Sequence, residues 1–390
     1  MQVKQIYQLL NSVTKEVLGS TELVNEDLTG LVDLGTEVFN QNAVDNYVKS
    51  LVNHIGKVIF VNRPYSGKIP SVLMDSWEFG SVLEKINADI PEAEENQTWD
   101  LVDGQSYSQD VFHKPVVTAK FFNSKVTFEV PVSITERQVK ESFSNSEQLN
   151  AFLSMIYNAV EKAITIKTDA LIMRTINNMI GETLIADATA FGGSGSEDYT
   201  SASTARCVNL LKLYNTQKGT TLAADKAITD PDFIKFASYT IGLYSDRLAS
   251  ISSVFNIGGK ARFTPKENLH IVLLSDFEKA AKTYLYADSY NKDQVLLPNA
   301  ETIPFWQGSG KKYDFDSVAH ITIKETNGTS VEINGVLGVM FDRDALGVCN
   351  LDRRVTTNYN AKAEFFNNYY KFDAGYFNDT NENFVVFFVA

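Results

Sequence analysis

Residues 384–389 read Phe-Val-Val-Phe-Phe-Val, and this run near the end of the 390-residue chain constrains the fold more than any other stretch. All of these side chains are apolar and β-favouring. In a strand, successive side chains point to opposite faces, so Phe384, Val386 and Phe388 share one face and Val385, Phe387 and Val389 the other. Both faces then need cover, either inside the subunit or by a neighbour. The run is therefore expected to be a buried strand, tied down rather than frayed, with the Asx-rich "NDTNEN" before it forming a turn.

Helical periodicity marks several other elements. Val3, Ile6, Tyr7, Leu10, Val13 and Val17 mark one amphipathic helix, and Val44, Tyr47, Val48, Leu51, Val52 and Ile55 a second. Ser133 with Glu136 and Ser144 with Glu147 fit the capping box that satisfies backbone donors at a helix start. The second box opens a long helix whose stripe of Phe152, Ile156 and Val160 is expected to pack on a sheet, with Gly181 as its stop. Further helices are expected over 203–217 and from Pro231, capped by Asp230, to about 255. "NLHIVLLS" reads as a buried strand feeding directly into a helix from Ser275 or Asp276.

Between the leading helices and the capping boxes the pattern changes to period two. In "SKVTFEVPV", Val126, Phe128, Val130 and Val132 alternate with Lys125, Thr127 and Glu129, and Pro131 places the strand at an edge or a bulge. "SWEFGSVLEKI", with Trp77 and Phe79, is expected to pair with it, and the polar "NADIPEAEENQTWDLVDGQSYSQD" between them to project as a loop. "FGGSGSEDYTSAST" is a Gly/Ser linker and marks a boundary. Several structural regions are expected, because single cores stop growing at roughly 250–300 residues.

Chemistry-bearing motifs are missing. "GSGKK" at Gly308 has Lys312 where a phosphate loop needs Ser or Thr, and the "GGSGS" from Gly192 lacks the last glycine of a nucleophile elbow. His54, His113, His270 and His320 are scattered, and Cys207 and Cys349 match no zinc or redox spacing, so no catalytic residue, metal or cofactor is assigned. The net charge of −13 argues against a protein that grips nucleic acid through its phosphates. No run approaches the ~20 apolar residues of a membrane span, and a soluble protein made in a cytoplasm is expected.

The order of these parts resembles the major capsid protein of tailed bacteriophages, carried by "WEFGSVLEKI", "KFFNSKVTFEVPVSITERQVKESF" and "NNYYKFDAGYFNDTNENFVVFF". The resemblance implies an α+β, Hong Kong 97-like capsid fold. Its parts would be an N-terminal arm over 1–61, an extended β loop over 62–132, a peripheral domain with the long spine helix over 133–200, an axial domain over 201–340, and return strands over 341–390. It implies a non-enzymatic subunit that assembles with itself into hexamers and pentamers, an icosahedral shell around double-stranded DNA, put together in the host bacterial cytoplasm. Partners would be a scaffolding protein, a portal and decoration proteins, with no membrane and no sequence-specific DNA contact; the start of the sequence offers no obvious room for a cleavable scaffolding segment. Trp77, Phe79, Phe128, Phe152, Ile156, Val160, Phe384, Val386 and Phe388 are the residues expected to carry structure or interface. Two other readings stand beside it: an encapsulin-like nanocompartment shell, and a β-rich carbohydrate-binding or tail-associated phage protein suggested by the Tyr- and Asn-rich C-terminal region.

Overall fold

The computed structural model describes residues 11, 13–15, 17, 69–74, 82–91, 93–107, 110, 112–135, 146–190, 203–288, 300–307, 314–324 and 330–390. The second leading helix, Trp77, Phe79, Ser144 and most of the Gly/Ser linker lie outside these residues; of the first helix, residues 11, 13–15 and 17 are helical, with Val13 buried. The chain divides into two compact units, one of residues 1–78, 125–171 and 348–375, the other of 79–124, 172–347 and 376–390.

The first unit is built on a four-stranded sheet of β1 (Leu73–Met74), β4 (Lys125–Thr135), β11 (Leu346–Asn360) and β12 (Phe365–Asn378), in the order β1-β11-β12-β4. In β4 the even-numbered residues Val126 to Val132 are half-buried and the odd ones exposed, as the alternation predicts. Pro131 lies on this edge strand, the place in a sheet where proline is tolerated. The partner is β12, antiparallel over Phe365↔Thr135 to Gly375↔Lys125, and not the "SWEFGSVLEKI" segment. Local patterning carries no signal for a partner more than 200 residues away. Ser133 is likewise not a helix cap: it sits in β4, and its hydroxyl donates to Asn367 Oδ1 across the strand pair at 2.6 Å.

Helix α1 (Ser146–Ala190) is 45 residues long and runs past Gly181 without interruption. In the first unit its buried Val160 and Ile164 pack with Tyr370 and Phe372 of β12, alongside Phe128, Val130, Val132 and Val355. Phe128 stacks on Phe372 with ring centroids 5.0 Å apart. Gly181 serves close approach rather than termination, because a Cβ there would lie 1.9 Å from Ile323 Cδ1. Ile323 belongs to the small antiparallel pair β8 (Ile321–Lys324) and β9 (Ser330–Ile333) of the second unit.

The second unit centres on a five-stranded sheet of β5 (Cys207–Asn209), β6 (Leu269–Leu274), β7 (Ala300–Ile303), β10 (Val336–Asp342) and β13 (Phe384–Phe388), in the order β5-β13-β10-β6-β7. The 384–389 run thus supplies β13, paired antiparallel to β10 and parallel to β5. Helices α2 (Leu210–Lys218), α3 (Pro231–Leu248) and α4 (Ser275–Asp288) accompany it. The stretch expected to be helical from 203 gives β5 first, and Asn209 then caps α2 by accepting from Lys212 N–H at 3.1 Å. Asp230 caps α3 with Pro231 in its first turn, and α3 ends at Leu248, short of 255.

Val385, Phe387 and Val389 bury against α2, α3 and α4 together with Ile271, Leu273, Met340 and Val208, and Phe387 meets Tyr244 edge-on at 5.3 Å. On the opposite face Phe384 stacks on Phe341, and Cys207, in register with Val386, turns its thiol to the Thr183 carbonyl of α1. Phe384, Val386 and Phe388 are as buried as their alternates, so both faces are covered within the chain.

Candidate assembly surface

Within the second unit, β2 (Leu83–Ala88) and β3 (Val117–Phe122) form an antiparallel hairpin with cross-strand pairs from Leu83↔Phe122 to Ala88↔Val117. Alternation gives it two unlike faces. Leu83, Lys85, Asn87, Thr118, Lys120 and Phe122 are half-buried, whereas Glu84, Ile86, Ala88, Val117, Ala119 and Phe121 are exposed. The polar centre therefore points to the body of the unit and the mostly apolar side points to solvent, the reverse of an ordinary half-buried hairpin.

The inward face is held chiefly by charge. Lys85 and Lys120 are directly opposite one another, a like-charged pair that is unfavourable alone. Asp379 lies between them, its Oδ2 2.7 Å from Lys85 Nζ and its Oδ1 2.9 Å from Lys120 Nζ, with its carboxylate fully buried. Lys85 Nζ also donates to the Asp344 carbonyl at 2.9 Å and lies 3.4 Å from Glu382, which Arg262 approaches at 3.6 Å. Burial pushes the Asp379 carboxyl up, but hydrogen bonds from Lys85 and Lys120 outweigh it and hold the group below the usual carboxylate range. For Glu382 burial wins over Lys85 and Arg262, and its carboxyl is raised. Phe122 against Phe377, centroids 5.2 Å apart, adds an apolar contact at the base, and Lys260 pairs with Asp89 at 2.8 Å where the loop begins.

Beyond the hairpin, residues 89–116 carry the acidic groups Glu94, Glu95, Asp100, Asp103 and Asp110 and a series of large apolar side chains in water. Trp99 is 95% exposed and Phe112 85%, and Ile86, Ile90, Leu101, Val102, Val116, Val117 and Phe121 are each more than half exposed. Most large hydrophobics exposed among the described residues fall between Val82 and Phe121. A free-standing subunit gains nothing from such a surface, and one this extended marks an interaction site.

Of the residues singled out in the sequence, Phe128 and Val160 belong to one cluster in the first unit, Ile156 is half-buried on the same helix, and Phe384, Val386 and Phe388 lie in β13, an interior strand of the second unit's sheet between β5 and β10. None of these forms the exposed surface. Lys85, Lys120 and Asp379, which meet beneath it, were missed; the pairing of the two lysines and their contact with a carboxylate more than 250 residues away leave no local mark in the sequence. Cys207 and Cys349 are buried free thiols. Among the described residues no group of His, Cys, Asp or Glu is placed to hold a metal, and no helix is long and apolar enough to cross a membrane.

Comparison with solved structures finds the same fold in phage particles. One match is a chain of the "Capsid structure of Staphylococcus phage Andhra", with a TM-score of 0.50 and 9% identity, covering 85% of this chain and 86% of that one. Another is a chain of the "Structure of head fiber and inner core protein gp22 of native bacteriophage P68", with a TM-score of 0.51 and 7% identity over the same shares. At these identities the likeness is one of fold, the α+β capsid architecture of the Hong Kong 97-like type. Comparison with curated proteins gives no match. The model of the Phi29-like phage major capsid protein family matches residues 10–388, nearly the whole sequence, and the chain belongs to that family of structural virion proteins.

Proposed function

We propose that the protein is the self-assembling subunit of an icosahedral phage head, forming hexamers and pentamers that close around double-stranded DNA. The observation that carries this reading is the hairpin and loop over 82–121, whose apolar side chains stand in water around a subunit that buries its own core on both faces of its sheet. Phe128, Val160, Phe384, Val386 and Phe388 hold the subunit; Trp77, Phe79, Phe152 and Ile156 are assigned to structure or interface with them. The net charge of −13 suits a container that holds DNA without adhering to it, since like charge lets the genome slide during filling. Assembly takes place in the host bacterial cytoplasm with a scaffolding protein, a portal and decoration proteins as partners. Family membership favours this over an encapsulin-like nanocompartment or a carbohydrate-binding tail protein. The test is negative-stain microscopy of the purified protein, with and without a scaffolding partner. Closed shells or uniform capsomers are expected; a monodisperse monomer at high concentration under both conditions overturns the reading.

A further inference from the structure

A hairpin with one apolar and one polar face ordinarily turns the apolar face to the body, because that removes hydrocarbon from water. Here the reverse orientation is held against that tendency. The inward pair Lys85 and Lys120 is tolerable only because the buried carboxylate of Asp379 bridges it, and this carboxylate sits in the turn that leads into β13, a segment fixed by the central sheet. Neighbouring charges balance: Lys85, Lys120 and Arg262 are matched by Asp379, Glu382 and the nearby Asp342. We propose that Asp379 is the positioning residue of the hairpin: held between Lys85 and Lys120, it keeps the polar face inward and so offers Ile86, Val117, Ala119 and Phe121 as a seat for a second copy of this chain. The choice of a second copy rests on the reading of the protein as a shell subunit, whose most abundant neighbour is itself. It also rests on the continuity of this face with the exposed apolar residues Val116 and Ile90 beside it.

Hydrogen exchange on the full chain tests the positioning role independently of assembly. In Asp379→Asn, peptides covering β2 and β3 should exchange on the order of ten-fold faster while those of β6, β10 and β13 stay unchanged. The triple variant Lys85→Gln, Lys120→Gln, Asp379→Asn removes the repulsion and should recover most of the lost protection, with no response to added salt. Unchanged hairpin protection in Asp379→Asn, or a triple variant no better than the single one, overturns the proposal. If Asp379→Asn fails to fold, the triple variant carries the test by itself: hairpin protection close to wild type is expected, and its loss overturns the proposal. For the seat itself, Phe121→Asp should leave the unfolding midpoint in place, because Phe121 is exposed, and yet abolish shells. Wild-type yields of shells from Phe121→Asp remove the seat. Absence of shells from the wild-type protein counts against the capsid reading alone and leaves the exchange result to judge Asp379.

Discussion

At Gly335 a single hydrogen atom is what the structure requires. The residue has φ of 72°, a Cβ there would lie 1.9 Å from the Val389 carbonyl oxygen, and its own carbonyl accepts from the Val389 N–H at 2.8 Å. Backbone meets backbone, so no side chain can move aside. Gly335→Ala should cost about 1–2 kcal/mol for the left-handed backbone and a further ~1–3 kcal/mol for overpacking. Urea unfolding would show this as a lower midpoint with an unchanged slope. Asp379 makes a different prediction. Its folded-state carboxyl is held below the usual range, so its stabilisation is complete above that range and is lost as pH falls through the depressed value. Glu382 has the opposite sign: its raised carboxyl takes up a proton first on acidification, weakening its contact with Lys85 while Asp379 still bridges Lys85 and Lys120. Arg262 and Asp342 are the remaining charges facing this pair. The stability difference between wild type and Asp379→Asn, measured in urea, should therefore hold constant from pH 7 to 5 and shrink below about pH 4.

Among the elements, β13 is the one whose loss the fold cannot absorb. Burying each large apolar side chain contributes on the order of 1.5–3 kcal/mol, so the strand as a whole rivals the ~5–15 kcal/mol margin of a typical domain. A chain ending at Asn383 should be insoluble or unfolded, as judged by soluble yield and circular dichroism; a soluble, cooperatively melting product would show the strand to be dispensable. This strand was legible in the sequence because both of its faces are apolar, and so were the cap at Asp230, the strand entering Ser275 and the alternation in β4, all of which are local patterns. What escaped was pairing at long range. β4 gives no hint that β12 is its neighbour, and Gly181 looks like a helix stop because a glycine's tight contact with a distant Ile323 leaves no local mark. The exposed face of the hairpin escaped for a related reason: alternation says that two faces differ, and only the position of Asp379 says which one turns inward.

For the whole molecule, the loop should matter to assembly and little to the subunit. Deleting residues 89–108 removes side chains that, among the described ones, are exposed apart from Asp89, and leaves β2, β3 and the Asp379 bridge in place. The variant should melt within a few degrees of wild type by calorimetry but form no shells by sedimentation and microscopy; intact particles of normal stability would refute this role for the loop. Chain order adds a constraint in time. β13 lies between β5 and β10 in the sheet yet follows β10 by some 40 residues of sequence, which at ~5–20 residues/s takes the ribosome roughly 2–8 s to make. Throughout that interval β5 and β10 each present an unpaired edge with apolar flanks, the form most prone to join the same edge on another nascent chain. Crowding of nascent chains before the sheet closes therefore favours pairing between chains over pairing within one.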